Sequence, residues 1–137
     1  MIKVLLDTNI VLDIALRRIP HYFDSESMFR LISEGVIEAY ISATTVTDLY
    51  YISAKQVGGK MAREFISSLI EIVHVAGVDE HVIREALNSN FKDFEDGVQH
   101  FTAEKSNCEV IISRNIDDFK GGVLPVRTPK EFIENLK

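Results

Sequence analysis

The feature that most constrains this chain is the abrupt change at its seventh residue. Val4-Leu5-Leu6 is an unbroken apolar run, Asp7-Thr8-Asn9 follows without a spacer, and Ile10-Val11-Leu12 restarts the apolar pattern. A short continuous apolar run suits a strand buried on both faces, as in parallel sheets. A polar break before a new apolar pattern suits the start of a helix. A strand passing straight into a helix leaves Asp7 at the strand's carboxyl end, where open α/β sheets bind ligands. Two roles are open at this point. Asp7, Thr8 or Asn9 caps the helix, or Asp7 begins a site.

The alternation continues along the chain. Ile2 to Leu6, Val36 to Ser42 and Glu109 to Ser113 read as strands, with shorter candidates at Ile72 to Ala76 and Val123 to Val126. Helical spacing covers Asn9 to Arg17, Tyr22 to Glu34, Thr44 to Val57, Lys60 to about Glu71, a segment capped by Asp79, and Asp93 to Ser106. Asn115 to Lys120 reads as a loop or single turn. Thr128-Pro129-Lys130-Glu131 carries a cap, a first-turn proline and a capping-box glutamate, and starts a last helix running to about Leu136. Short strands alternating with helices predict an α/β fold with a mostly parallel central sheet and helices on both faces. No repeat or linker divides the chain, so residues 1–137 are expected to form a single domain.

Composition narrows the function classes. Hydrophobic residues make up 46% of the chain and charged ones 26%, as in soluble proteins. No apolar run approaches a membrane span, and Asp7 interrupts the amino terminus too early for a secretory signal. The chain therefore reads as cytoplasmic. Cys108 is the only cysteine, so no internal disulfide forms, and its place before Val110-Ile111-Ile112 suits a packed thiol. The four histidines show no ligand spacing for zinc. A formal net charge of −6 argues against a global electrostatic grip on nucleic acid, but allows a local basic patch or an acidic cluster balanced by bound metal.

Acids recur at element boundaries. Asp7 ends the first strand, Asp48 lies early in the helix after the second, Asp93 and Asp96 open another helix, and Asp117 and Asp118 follow the strand ending at Ser113. In a doubly wound sheet these places share one edge. Each acid alone also fits a structural role. Thr45-x-x-Asp48 fits a capping box and Asp93 a helix cap; Asp96 favours a helix dipole and Asp118 a turn. Together, several like charges at one edge are costly without a bound cation. Oxygen-only ligands select a hard ion such as Mg2+ or Mn2+. The chemistry expected of such a site is metal-assisted phosphodiester hydrolysis.

Three segments resemble one known family. Leu6-Asp7-Thr8-Asn9 is similar to the opening motif of PIN-domain proteins, the ribonuclease fold of VapC-type toxins in toxin–antitoxin pairs. Asp93-Phe94-Glu95-Asp96-Gly97-Val98-Gln99 resembles the Asp-Phe-Glu-Asp-Ala-x-Gln motif of one PIN subgroup. Ile112-Ser113-Arg114-Asn115-Ile116-Asp117-Asp118-Phe119 resembles its Thr-Arg-Asn-x-x-Asp-Phe motif, and Leu124 to Phe132 looks like the family's last strand and helix. The match runs the length of the chain in order.

The resemblance implies a metal-dependent endoribonuclease with Asp7, Asp48, Asp96 and Asp118 as its acids. Of these, Asp7, Asp96 and Asp118 hold one or two Mg2+ or Mn2+ ions. Asp48 stands where the family usually has glutamate and is one methylene shorter, which puts direct coordination in doubt. Thr8, Asn9, Asp93, Ser113, Arg114 and Asn115 are supporting candidates, with Thr8 and Asn9 expected to hold Asp7 or contact water on the metal. Gly97 replaces the usual alanine, at a cost in helix stability of roughly 1 kcal/mol.

RNA needs local cations on so acidic a protein. Arg17, Arg18 and Lys92 are candidates, with Lys55, Lys60, Arg63 and the motif residue Arg114; ordinary surface charge is the competing reading. The family also implies a small antitoxin partner and a homodimer, for which Tyr50-Tyr51-Ile52 and Phe65-Ile66 offer apolar surface. Competing functions are a non-catalytic PIN-fold interaction module and an RNA-processing nuclease without an antitoxin. A response-regulator-like acidic pocket ranks lower, because the chain lacks the adjacent acid pair and the late-strand lysine such a pocket uses.

Overall fold

The computed structural model describes residues 1–136. Five strands pair in parallel throughout, in the order β3-β2-β1-β4-β5. They are β1 Ile2–Leu6, β2 Ile37–Ser42, β3 His74–Ala76, β4 Val110–Ile112 and β5 Val126–Arg127. β1 is central, with Val4 beside both Ala39 and Val110. Alternate residues of β1 face opposite layers. Val4 and Leu6 pack with Ile10, Met28, Ile41, Leu49 and Phe132 in the larger core. Leu5 joins Ala103, Cys108, Ile111 and Phe119 on the other face. All five residues from Val4 to Leu6 and from Ile111 to Ile112 have no solvent exposure, as parallel strands covered on both faces require.

The helices are α1 Thr8–Ala15, α2 His21–Ser33, α3 Ala43–Val57, α4 Gly59–Leu69, α5 Glu80–Leu87, α6 Phe94–Lys105 and α7 Pro129–Glu134, with a 3-10 turn at Ile116–Phe119. No helix among the described residues is long and apolar enough to cross a membrane. Thr128 and Glu131 form the expected capping box of α7.

Several boundaries differ from the sequence reading, each for a local reason. α1 stops at Ala15 rather than Arg17, because Arg17 takes a left-handed backbone with φ 50°. α3 is capped by Ser42, whose Oγ accepts the Thr44 N–H at 3.2 Å, so Thr45 and Asp48 form no capping box. The last strand begins at Val126, not Val123. The Val123 N–H donates instead to His100 Nε2 at 3.1 Å, which takes that residue out of any ladder.

Strand order decides where a site can lie. The chain leaves β1 toward β2 on one side, while β4 lies on the other. The carboxyl ends of β1 and β4 therefore flank a topological switch point, where such sheets open a crevice. Leu6 sits beside Ile112, and the Asp7 N–H donates to the Ile112 carbonyl at 2.9 Å just before the chains part.

Candidate metal centre

Asp7 sits at that switch point and is only 6% exposed. Gln99 of α6 donates from Nε2 to its Oδ1 at 3.0 Å, and Ser113 donates from Oγ to its Oδ2 at 2.8 Å. Both donors are buried. Burial raises the Asp7 pKa; the bonds from Gln99, Ser113 and the Thr8 N–H oppose that rise, and the nearby Asp118 charge adds to it. One oxygen is thus tied to a helix and the other to a strand end, which fixes the plane of the carboxylate.

The crevice in front of Asp7 measures about 320 Å3. Asp48, Asp93, Glu95, Asp96 and Asp118 line it, with Thr8, Asn9, Leu12, Ile52 and Gln99. Four elements therefore bring acids to one place, as the doubly wound reading predicted: the end of β1, the second turn of α3, the first turn of α6 and the 3-10 turn. Asp93 caps α6 by accepting the Asp96 N–H at 3.2 Å while lining the crevice, so its two candidate roles coexist. Asp118 is exposed, and its N–H donates to the Asn115 carbonyl at 3.1 Å.

The electrostatics are those of crowded carboxylates. Partial burial and the charges of Asp93, Asp7 and Asp118 push Asp96 up to about 7. Glu95 also rises to about 7, through burial, a hydrogen bond to Asp48 and the charges of Asp48, Asp93 and Asp96. Glu95 keeps a solvent-facing side, so screening moderates that effect. Among the described residues, no three His, Cys, Asp or Glu side chains are already drawn into a closed metal cage. The donor set nevertheless fits a hard divalent cation: every ligand atom offered is oxygen, most of it anionic.

The supporting residues are distributed differently from expectation. Ser113 does hold Asp7. Thr8 and Asn9 line the crevice, but their side chains bond elsewhere. The Thr8 hydroxyl pairs with that of Thr45 at 2.9 Å, and Asn9 Oδ1 accepts from Arg18 at 3.2 Å. Asn115 donates its N–H to Ser113 Oγ at 3.0 Å. Arg114 turns away from the acids and forks onto Asp13 of α1. Lys92 lines an adjoining cavity with Asp93, Asp96, Asp117 and Asp118, and Arg17 is exposed beyond the end of α1. Lys55, Lys60 and Arg63 lie on the exposed side of α3 and α4, with Arg63 stacked over the Tyr50 ring at 5.6 Å. Cys108 is buried, and burial pushes its thiol up to about 12, as a packed cysteine should be.

Three site residues escaped the sequence reading: Gln99, Glu95 and Asp13. Gln99 and Glu95 lie inside a quoted motif. Gln99 falls three residues, and so about one helical turn, after Asp96, which puts the two on neighbouring parts of one face. Asp13 had no signal beyond a charge within an apolar helix.

Comparison with known proteins gives consistent matches. The family model described as PIN domain matches residues 3–117. Ribonuclease VapC1 of Aquifex aeolicus (strain VF5) is 28% identical over 138 residues, covering 96% of this chain and 94% of that protein. VapBC2 from Rickettsia felis, solved bound to a DNA fragment from its promoter, superposes with a TM-score of 0.70 at 12% identity, covering 93% of this chain and 98% of that one. A toxin–antitoxin complex from Klebsiella pneumoniae gives a TM-score of 0.69 at 22% identity, over 92% of this chain and 97% of that one. At these identities the two solved structures speak for the fold.

Proposed function

Because this chain belongs to the PIN-domain family, we propose that it is a metal-dependent endoribonuclease that hydrolyses RNA phosphodiester bonds, and that it is the toxin of a toxin–antitoxin pair. The observation that carries this reading is Asp7, held on both oxygens by Gln99 and Ser113, facing Asp96 and Asp118 across one crevice. The relative named Ribonuclease VapC1 supports the activity, and the neighbours solved as VapBC2 and as a toxin–antitoxin complex support an antitoxin partner. Gln99 on Asp7 and Glu95 on Asp48 give the Asp-Phe-Glu-Asp-x-x-Gln segment a physical purpose, which supports placing the chain in that PIN subgroup.

Asp7, Asp96 and Asp118 would hold one or two Mg2+ or Mn2+ ions, with Asp48 at the margin. When bound, such an ion supplies positive charge for the phosphate and lowers the pKa of water. The chain's own residues do the rest. Gln99 and Ser113 keep Asp7 from rotating, so its outward lone pairs stay aimed at the crevice. Burial and the neighbouring Asp48 raise Glu95 to about 7, which suits Glu95 to orient water or exchange a proton beside it. Lys92 in the adjoining cavity and Arg18 beside Asn9, with Arg17 next to it in the chain, would offset RNA backbone charge, which the net charge of −6 makes a local task. Tyr51 and Met61, 67% and 58% exposed on α3 and α4, offer an apolar surface for a homodimer. A cytoplasmic location goes with this reading, since an RNA substrate would be met there.

Asp7→Asn is the direct test. It keeps shape and hydrogen-bonding capacity but removes the charge at the most buried ligand. RNA cleavage in Mn2+ should vanish while circular dichroism and thermal unfolding persist. Cleavage by the purified variant at the wild-type rate would rule out the assigned site.

A further inference from the structure

Asp13 is a charged residue with no solvent exposure, outside the acid crevice. Arg114 forks onto it, with Nε 2.9 Å from Oδ2 and a terminal nitrogen 3.2 Å from Oδ1. Ser25 Oγ donates to Oδ2 at 3.1 Å, and a terminal nitrogen of Arg18 stands 4.0 Å from Oδ1. A buried ion pair is weak evidence for stability, since well-packed apolar residues often serve as well or better. What a bidentate pair adds is a fixed plane and a fixed distance.

Its position in the chain gives that fixed distance a meaning. Asp13 lies in α1, which starts at the residue after Asp7. Arg114 follows Ser113, the donor to Asp7, and precedes Asn115, which opens the turn carrying Asp118. Two consecutive residues past β4 thus reach two acids six residues apart: Ser113 to Asp7 and Arg114 to Asp13. Beyond Ile112 the strand ladder has ended, so these bonds tie together the two walls of the crevice.

The geometry points to Asp13 and Arg114 as positioning residues, a clamp that sets the separation between the backbone bearing Asp7 and the backbone bearing Asp118. Its effect on metal rests on the nuclease reading above. The clamp touches neither metal nor RNA. It acts by restricting where Asp118 can stand relative to Asp7.

The test separates positioning from plain stability. Arg114→Met alone strands a buried charge and should unfold more easily. Asp13→Leu combined with Arg114→Met removes both charges and should recover thermal stability. If the pair positions, the double variant still binds Mn2+ 10- to 100-fold more weakly by calorimetry, the usual loss when a residue orienting a ligand is removed. Amide exchange at Asn115 and Asp118 in the metal-free protein also quickens, because those N–H groups bond to Ser113 and Asn115 in the intact turn. Arg114→Lys keeps the charge but not the fork. It provides the same comparison should the double variant fail to fold, with exchange between wild type and the other variants. Wild-type Mn2+ affinity and exchange in a folded variant would overturn the clamp. A wild-type protein that binds no Mn2+ would instead overturn the nuclease reading, and the exchange rates would then decide the clamp by themselves.

Discussion

Gln99 and Asp7, 92 residues apart in sequence, meet through a 3.0 Å hydrogen bond in which the carboxamide nitrogen donates to Oδ1. Gln99 is 1% exposed and its own Oε1 has no hydrogen-bond partner among the described residues. An amide buried at that cost is explained by the carboxylate it steadies. Gln99→Met fills similar volume without the donor. Mn2+ affinity should fall 10- to 100-fold, the usual effect of removing a partner that orients a metal ligand. Calorimetric titration reads this directly, and an unchanged affinity would leave Ser113 as the residue that orients Asp7.

The crevice acids give the metal-free protein an inverted pH dependence. Glu95 and Asp96, each near 7 when folded, start from ordinary values of 4.5 and 3.8. Between those limits the folded protein binds more protons than the unfolded chain, so stability falls as pH rises. Melting temperature in the presence of a chelator should decline from pH 5 to pH 8. The increment produced by Mn2+ should grow over the same interval, because the ligands must be ionised to bind. A chelated protein that gains stability toward pH 8 would contradict the crowding of these carboxylates.

Gly122 is held against a wall. A Cβ there would lie 2.5 Å from His100 Cδ2 and Nε2 and 3.0 Å from Phe91 Cζ. His100 cannot easily retreat, being 1% exposed, tilted against Phe91 and edge-to-face with Phe101. Gly122→Ala should therefore destabilise by roughly 1–3 kcal/mol, the range for overpacking. Urea unfolding measures it. A neutral result would mean that the His100 ring can leave the backbone N–H groups of Val123 and Leu124.

Tyr51 and Met61 should matter for association and not for the crevice. Tyr51→Glu with Met61→Lys places charges on the exposed α3–α4 surface. Sedimentation should then report a shift toward monomer, with Mn2+ affinity unchanged. Association that survives both charges would move the proposed dimer contact to another face.

Much of this protein can be read along the chain, and the boundary of that reading has a physical cause. The apolar run ending at Asp7 is enough for a buried parallel strand, and alternation with helices is enough for a covered sheet, because both depend on neighbours in sequence. Those two facts already send Asp7, Asp48, Asp96 and Asp118 to one edge. What periodicity does not carry is pairing between distant residues. Ser113 was legible through its motif, yet the sequence assigned Thr8 and Asn9, beside Asp7, to a task performed by Gln99 and Ser113. Arg114 read as a cation for RNA until Asp13, 101 residues away, appeared as its partner. Asp7 was therefore identifiable from its place at a strand end, whereas its rigidity came from tertiary contacts. A buried carboxylate needs donors, and only packing α6 and the end of β4 beside β1 determines which donors arrive.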